Sequence, residues 1–462
     1  MADSATPELA PELQKARQDF EGSPDHAKFG PGIVLSGLLA EKGHYAEALA
    51  VLSRLQPLAE KDFEKAQILQ KQGWIHLRQS QYDKAYYFLG EAMVKLGTHP
   101  DSLELFTVYH DLAWMSYRQG YLEKARNYSE GAPLVIRSMS QKSGPRVDEA
   151  KADLCHLMAM IEAASGEFDA ALSHLENERQ IRLGQDNPGK LAALYNKMSS
   201  VLQAKGDMKG ALDFQFQTMD LAKLYDDLFH QAVSSKNLGE IYASLGNYDA
   251  SLKYYQQSLE LSQAVGNQLG AVFAKAGIGR ILEARGNFPK AGEHLQEALN
   301  LARRIKSRER DYSLLVDLAE LYVAWGKPPE AAKCLEAAQT LENELNEPIS
   351  PRHVIVIAKH CWLSGQTAEL ARARRLLEEL LSRPVVINDE EHASIPELEI
   401  EADALLARIL FKQGDRDQAA AVLQRAVAVI DGFVRDLDER DRGRVLTRPA
   451  IREVFSLNAR AG

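Results

Sequence analysis

Four turn motifs recur at one fixed interval in the middle of the chain. They are Gly206-Asp-Met208-Lys-Gly-Ala211, Gly246-Asn-Tyr248-Asp-Ala-Ser251, Gly286-Asn-Phe288-Pro-Lys-Ala291 and Gly326-Lys-Pro-Pro-Glu-Ala331, and their first glycines lie 40 residues apart. A period of this size is the mark of a repeat architecture, in which each unit is one supersecondary piece. The flanks are helical in pattern: Leu238, Tyr242 and Leu245 precede Gly246 at spacings of three and four, and Leu252, Tyr255 and Leu259 follow it in the same way. The motif itself is a turn, because glycine supplies positive φ at a helix end and Asn or Asp suits a tight reversal. Each unit is therefore a helix hairpin. One hairpin cannot bury both of its apolar stripes, so neighbours must stack.

Small residues sit where two helices should cross. Gly239, Gly279 and Ala319 precede the turn glycine by seven positions, Ala211, Ser251, Ala291 and Ala331 follow it by five, and Ser258, Ala298 and Ala338 by twelve. A small side chain lets two backbones approach while bulky neighbours fill around it. Period, turn and small positions together resemble the tetratricopeptide repeat (TPR). The unit is longer than the common version of about 34 residues and lacks its terminal proline. It is similar to the long repeats of LGN/Pins adaptors, kinesin light chains and bacterial sensors of the Rap type, with Gly266-Asn267 before Gly270 as the nearest point of likeness. The acidic G-protein-binding motifs of LGN are not visible. The resemblance implies an all-α solenoid: a right-handed TPR superhelix of about ten hairpins with a C-terminal capping helix.

The remaining turns extend the array in both directions. Hairpins one to four turn at Gly43, Ser80, Gly120 and Gly166, and hairpins nine and ten at Gly365 and Gly414. The long steps before Gly166 and Gly414 place extra residues in Ser138–Val147 and Arg383–Pro396. The expected organisation is a tail with a short capping helix over 1–31, hairpins one to eight over 32–345, irregular hairpins nine and ten over 346–437, and a cap and tail over 438–462. In that last stretch Asp438–Gly443 reads as a charged turn before an amphipathic piece, Val445–Leu457.

Bulk chemistry excludes several roles. The chain carries 55 basic against 65 acidic residues, a net charge of −10, and no clustered basic run. That argues against a nucleic-acid or anionic-membrane surface. Cys155, Cys334 and Cys361 lie far apart with no CxxC pair, which fits a reducing compartment. No secretory signal and no apolar run of about eighteen residues is present, so no membrane span and a cytoplasmic location are expected. HExxH, GxxxxGK[ST] and GxSxG are missing, and His353 and His360 lack a third ligand by pattern. The chain is therefore expected to be no enzyme, with no cofactor and no metal.

TPR geometry implies that the first helix of each hairpin lines the concave face, with the residues thirteen, ten and six before the turn pointing into it. Trp74 and Trp114 then occupy one position in adjacent hairpins, either as groove anchors or as packing between repeats. Arg78 and Arg118 follow one turn later and suit a carboxylate-bearing peptide, or are solvated helix ends. His110 belongs to the same face. Asn196, Lys236, Asn237, Glu240, Arg280 and Glu320 continue it, and the asparagine amides can both donate to and accept from a peptide backbone. The function expected is a scaffold holding a peptide segment of another protein, possibly an acidic one. The alternative is a sensory module of a bacterial signalling system whose superhelix changes pitch on binding.

Overall fold

A computed structural model describes residues 11–79, 81–138, 144–185, 187–345, 349–382 and 395–461. The turn residue Ser80, half of the Ser138–Val147 insertion and nearly all of Arg383–Pro396 lie outside the described residues. Within them the chain forms 23 α-helices and no strand. No described helix is long and apolar enough to cross a membrane. Contacts divide the chain into two compact units, Met1–Glu162 with Glu176–Ile181, and Ala163–Leu175 with Arg182–Gly462.

In the first unit, hairpin one pairs Phe29–Glu41 with Tyr45–Leu55, hairpin two Asp62–Arg78 with Tyr82–Leu96, and hairpin three Leu103–Arg118 with Leu122–Ser138. A preceding helix, Pro11–Gly22, buries Leu13, Ala16 and Phe20 against Leu35, Leu39 and Leu55. In the second unit, hairpins five to eight pair Pro188–Lys205 with Met208–Leu224, Leu228–Ser244 with Tyr248–Ala264, Gln268–Ala284 with Phe288–Arg304, and Arg308–Ala324 with Pro328–Leu345. From Met208 to Ala324 every helix has 17 residues and every turn three, which is the physical content of the 40-residue period. Hairpin nine pairs Pro351–Ser364 with Thr367–Leu381, and hairpin ten Ile395–Gln413 with Arg416–Val434.

The turn around Gly246 shows how each reversal works. Gly246 has φ +68°, its N–H reaches the Ala243 carbonyl at 2.9 Å, and the Asn247 N–H reaches the Tyr242 carbonyl at 2.8 Å. Asn247 then caps the next helix by accepting from the Ala250 N–H. One turn sequence thus satisfies the orphan carbonyls of one helix and an orphan amide of the next.

The small positions lie at close crossings. A Cβ placed on Gly239 would stand 3.0 Å from the Tyr255 ring, and one on Gly279 would stand 2.7 Å from Leu295 Cγ. The hydroxyls among these residues use the proximity: Ser251 Oγ donates to the Gly239 carbonyl at 2.7 Å, and Ser258 Oγ to the Ala232 carbonyl at 2.9 Å. A serine at such a crossing is therefore both a spacer and an inter-helix clamp.

One expectation is corrected. Asp438–Gly443 is not a turn: Asp438 caps the Asp441 N–H at 2.8 Å and starts a helix, Glu439–Leu446. Acidic residues at a helix start favour this geometry, which a charge run alone does not reveal. The last helix, Pro449–Ala461, packs on both helices of hairpin ten. The same core reaches back to hairpins five and six: Leu202, Met208, Ile241 and Leu245 share one buried cluster with Ile400, Leu423, Phe433, Val445 and Ile451. The end of the second unit is thereby stitched to its beginning.

Candidate functional site

The first helices carry rungs of polar side chains from one hairpin to the next. In the first unit, Gln67 Nε2 donates to Glu104 at 2.8 Å and Gln70 Nε2 to Asp111 at 2.6 Å. Beside these rungs, Trp74 is half-buried and packs against the core around Leu39, Leu52 and Ile75. Trp114 is also half-buried, touches two core clusters, and lies 5.7 Å from the Tyr117 ring. Arg78 is exposed and holds its guanidinium 5.8 Å over Trp74, while Arg118 is exposed at the matching helix end. His110 is half-buried, with Nδ1 3.8 Å from Asp111. Each indole is thus partly packed and partly accessible.

The second unit has longer and more charged rungs. Asn237 Nδ2 donates to Asn196 Oδ1 at 3.4 Å, joining hairpins five and six. Lys236 Nζ reaches Glu240 at 2.9 Å and stands 5.5 Å over the Phe273 ring. Arg280 pairs with Asp317 at 2.9 Å. Glu320 receives Lys359 at 2.7 Å and also pairs with Arg352, and Lys359 continues to Glu401 at 2.8 Å. Arg280, Asp317, Glu320, Lys359 and Glu401 therefore form an ionic ladder across the first helices of hairpins seven to ten.

Burial alone would raise the Glu320 carboxyl, but Arg352 and Lys359 outweigh it and hold the group at about 2. Burial would likewise lower Arg280, and Asp317 outweighs it upward. Glu283 goes the other way: burial and the Glu320 charge push it well above the carboxylate range. The ladder thus holds one carboxyl firmly charged beside another that favours its proton.

Asp317, Arg352, Lys359 and Glu401 were not foreseen. Arg352 and Lys359 lie thirteen and six positions before Gly365, and Glu401 lies thirteen before Gly414. These are the offsets that the family resemblance assigns to the concave face of the regular repeats. Carrying the offsets into the irregular hairpins nine and ten would have found all three.

A second polar junction closes the unit. Ser244 Oγ donates to Glu397 Oε2 at 2.8 Å, and Arg448 Nη1 donates to the Ser244 carbonyl at 3.0 Å while also pairing with Glu397. A Cβ on the neighbouring Gly246 would lie 3.4 Å from the Arg444 carbonyl oxygen, so the turn of hairpin six receives the helix Glu439–Leu446 closely. Among the described residues no group of His, Cys, Asp and Glu is placed to hold a metal ion.

Stacked helix hairpins with small-residue crossings, and a polar ladder along the first helices, define an α-solenoid. Its repeats match the MalT-like TPR region over residues 221–395 and a tetratricopeptide repeat over 400–425. The chain thus carries tetratricopeptide repeats over these residues. Comparison with curated protein sequences returned no match. Among solved structures it is similar to a Rap protein complexed with competence and sporulation factor, at 13% identity and a TM-score of 0.54, covering 80% of this chain and 99% of that one. A Rap conjugation gene regulator of plasmid pLS20, in complex with the Phr* peptide, aligns at 14% identity and a TM-score of 0.51, over 80% of this chain and 96% of that one. Aspartyl phosphate phosphatase F from Bacillus subtilis aligns at 13% identity and a TM-score of 0.51, over 80% and 93%. Likeness at this identity concerns the fold.

Proposed function

We propose that this protein is a non-catalytic binding scaffold whose first-helix face grips an extended peptide segment of a partner protein. The observation that carries the reading is the Asn196–Asn237 rung. Two half-buried amides stand on successive first helices with Lys236 beside them. Each amide can trade its long contact for a pair of hydrogen bonds to a peptide unit, which grips backbone without reading sequence. Arg78 and Arg118, with the edges of Trp74 and Trp114, supply the corresponding surface of the first unit and favour an acidic segment. His110, Glu240, Arg280 and Glu320 complete the surface. Glu240, Arg280 and Glu320 serve by shaping and neutralising it through their internal partners.

The test is capture of partners from the source cell, followed by cross-linking to locate the contact. Cross-links should fall on the helices Pro188–Lys205 and Leu228–Ser244, and the double variant Asn196→Ala with Asn237→Ala should lose them. Cross-links confined to second helices, unaffected by that variant, would remove the reading.

A second reading, a regulatory switch, draws support from two observations. The fold neighbours were solved with a competence and sporulation factor and with the Phr* peptide. The Arg448–Glu397–Ser244 junction gives this chain a closure that a ligand could open or tighten. Small-angle scattering of the full chain with and without a captured peptide distinguishes them: a fixed scaffold keeps its profile and a switch does not.

A further inference from the structure

The first unit holds a cavity of about 330 Å³. It opens between the second helix of hairpin two, which contributes Tyr86, and hairpin three, whose first helix contributes Met115 and Ser116 and whose turn and second helix contribute the rest. Its walls are Tyr86, Met115, Ser116, Gln119, Tyr121, Lys124, Asn127 and Tyr128. Tyr86 and Tyr121 are more than half exposed, at 57% and 54%, although they flank a concave site. Tyr86 and Tyr128 line the same wall. Lys124 Nζ stands 5.0 Å over the Tyr121 ring.

The lining restricts the ligand. Three aromatic rings and a methionine call for an apolar, ridged surface. The polar groups are hydroxyls, two amides and an ammonium, all able to donate, and the lining contains no carboxylate. The amides and hydroxyls can also accept, but a cationic ligand would find no counter-charge there. A quaternary ammonium would meet a site whose cation–π position Lys124 already takes. A proline-rich segment in the polyproline II conformation has the complementary pattern. Its rings stack on aromatic faces, its prolines carry no N–H, and its carbonyls project outward with no internal hydrogen bonds. The volume also falls within the usual range for ligand sites, roughly 300–1,000 Å³.

We propose that the tyrosine cavity of hairpins two and three is a docking site for a proline-rich segment of a partner, separate from the first-helix groove. The Tyr86 and Tyr121 rings sandwich prolyl rings, and Gln119, Lys124 and Asn127 donate to ligand carbonyls. The site needs no change in the groove, so the two proposals stand or fall separately.

The experiment is fluorescence anisotropy of a dye-labelled, end-blocked oligoproline titrated with the full chain, beside a Gly-Ser peptide of equal length. Saturable binding of the oligoproline alone is expected. Tyr86→Ala and Tyr121→Ala should each weaken it at least about tenfold, since stacking and pocket anchors carry such energies. Both rings are largely exposed, so the variants should keep the wild-type circular dichroism spectrum and melting temperature. Asn127→Asp tests the donor argument independently: a carboxylate facing ligand carbonyls should weaken binding while every ring remains. Absence of oligoproline binding, equal binding of the Gly-Ser peptide, or unchanged affinity in both folded tyrosine variants would overturn the proposal.

Discussion

Arg448 donates through Nη1 to the main-chain carbonyl of Ser244 at 3.0 Å, across 204 positions of sequence. The same guanidinium pairs with Glu397, whose side chain is only 8% exposed. A local repeat has been turned into a closed unit by one long-range ionic contact and the apolar core beneath it.

Arg448→Ala should therefore do more than a surface substitution. It leaves a buried carboxylate without its cation, which typically costs about 3–5 kcal/mol. Hydrogen exchange should quicken in Glu439–Ala461, in Ile395–Gln413 and in the hairpin-six turn, while residues 11–138 keep their protection. The double variant Arg448→Met with Glu397→Leu should recover much of the loss. Uniform exchange throughout the chain would show that the junction is no independent element.

Gly239→Leu should force a side chain into the Tyr255 ring, and Gly279→Leu into Leu295. Overpacking of this kind costs about 1–3 kcal/mol. In a linear array the loss spreads first to adjoining hairpins. Urea melts give the magnitude, and exchange mapping gives the extent.

Arg78→Glu with Arg118→Glu and Arg280→Met should behave differently. The first pair is exposed and should change stability by less than about 1 kcal/mol, with any loss of partner affinity greatest at low salt. Arg280 pairs with Asp317, whose side chain is 7% exposed and keeps Arg352 at 3.8 Å, so its removal should destabilise the fold by more than the exposed pair does. Denaturation midpoints of the two variants, compared with wild type, decide it.

His353 predicts a pH dependence. It is fully buried, with Nδ1 3.0 Å from the Tyr312 hydroxyl and 3.2 Å from Glu342, whose own carboxyl burial raises. Burial pushes the imidazole down to about 4. The folded state keeps it neutral where an unfolded histidine, near 6.5, takes up a proton. Its contribution is thus fully present above about pH 6.5 and is lost as pH falls toward 4, by about 2–3 kcal/mol at pH 4.5. Glu320, held at about 2, loses its own contribution only below its ordinary range, so the two windows separate. Urea melts at pH 7 and pH 4.5 should show a smaller difference for His353→Gln than for wild type.

The repeat was legible because its causes are local. A glycine at positive φ, an Asn cap and two apolar stripes at helical spacing specify a hairpin whatever lies elsewhere, and Gly239, Gly279 and Ser251 mark the crossings by size alone. The first-helix offsets came from the family resemblance, and they reach Arg352, Lys359 and Glu401 as soon as the irregular hairpins are put on the same register. The helix capped by Asp438 was hidden, because a charge run with a glycine reads as a turn until its cap is seen.

What only the tertiary structure decided is where the array stops being linear and which charges are used up. No spacing rule joins Ser244 to Arg448, or places Leu202 and Ile241 in one core with Val445 and Ile451. Nor does a helical offset tell that Arg280 is spent on Asp317 while Arg78 faces solvent. Helix and turn are set by neighbours a few residues away along the chain. Closure and charge pairing depend on small angular increments summed over many hairpins, and that sum brings distant side chains together.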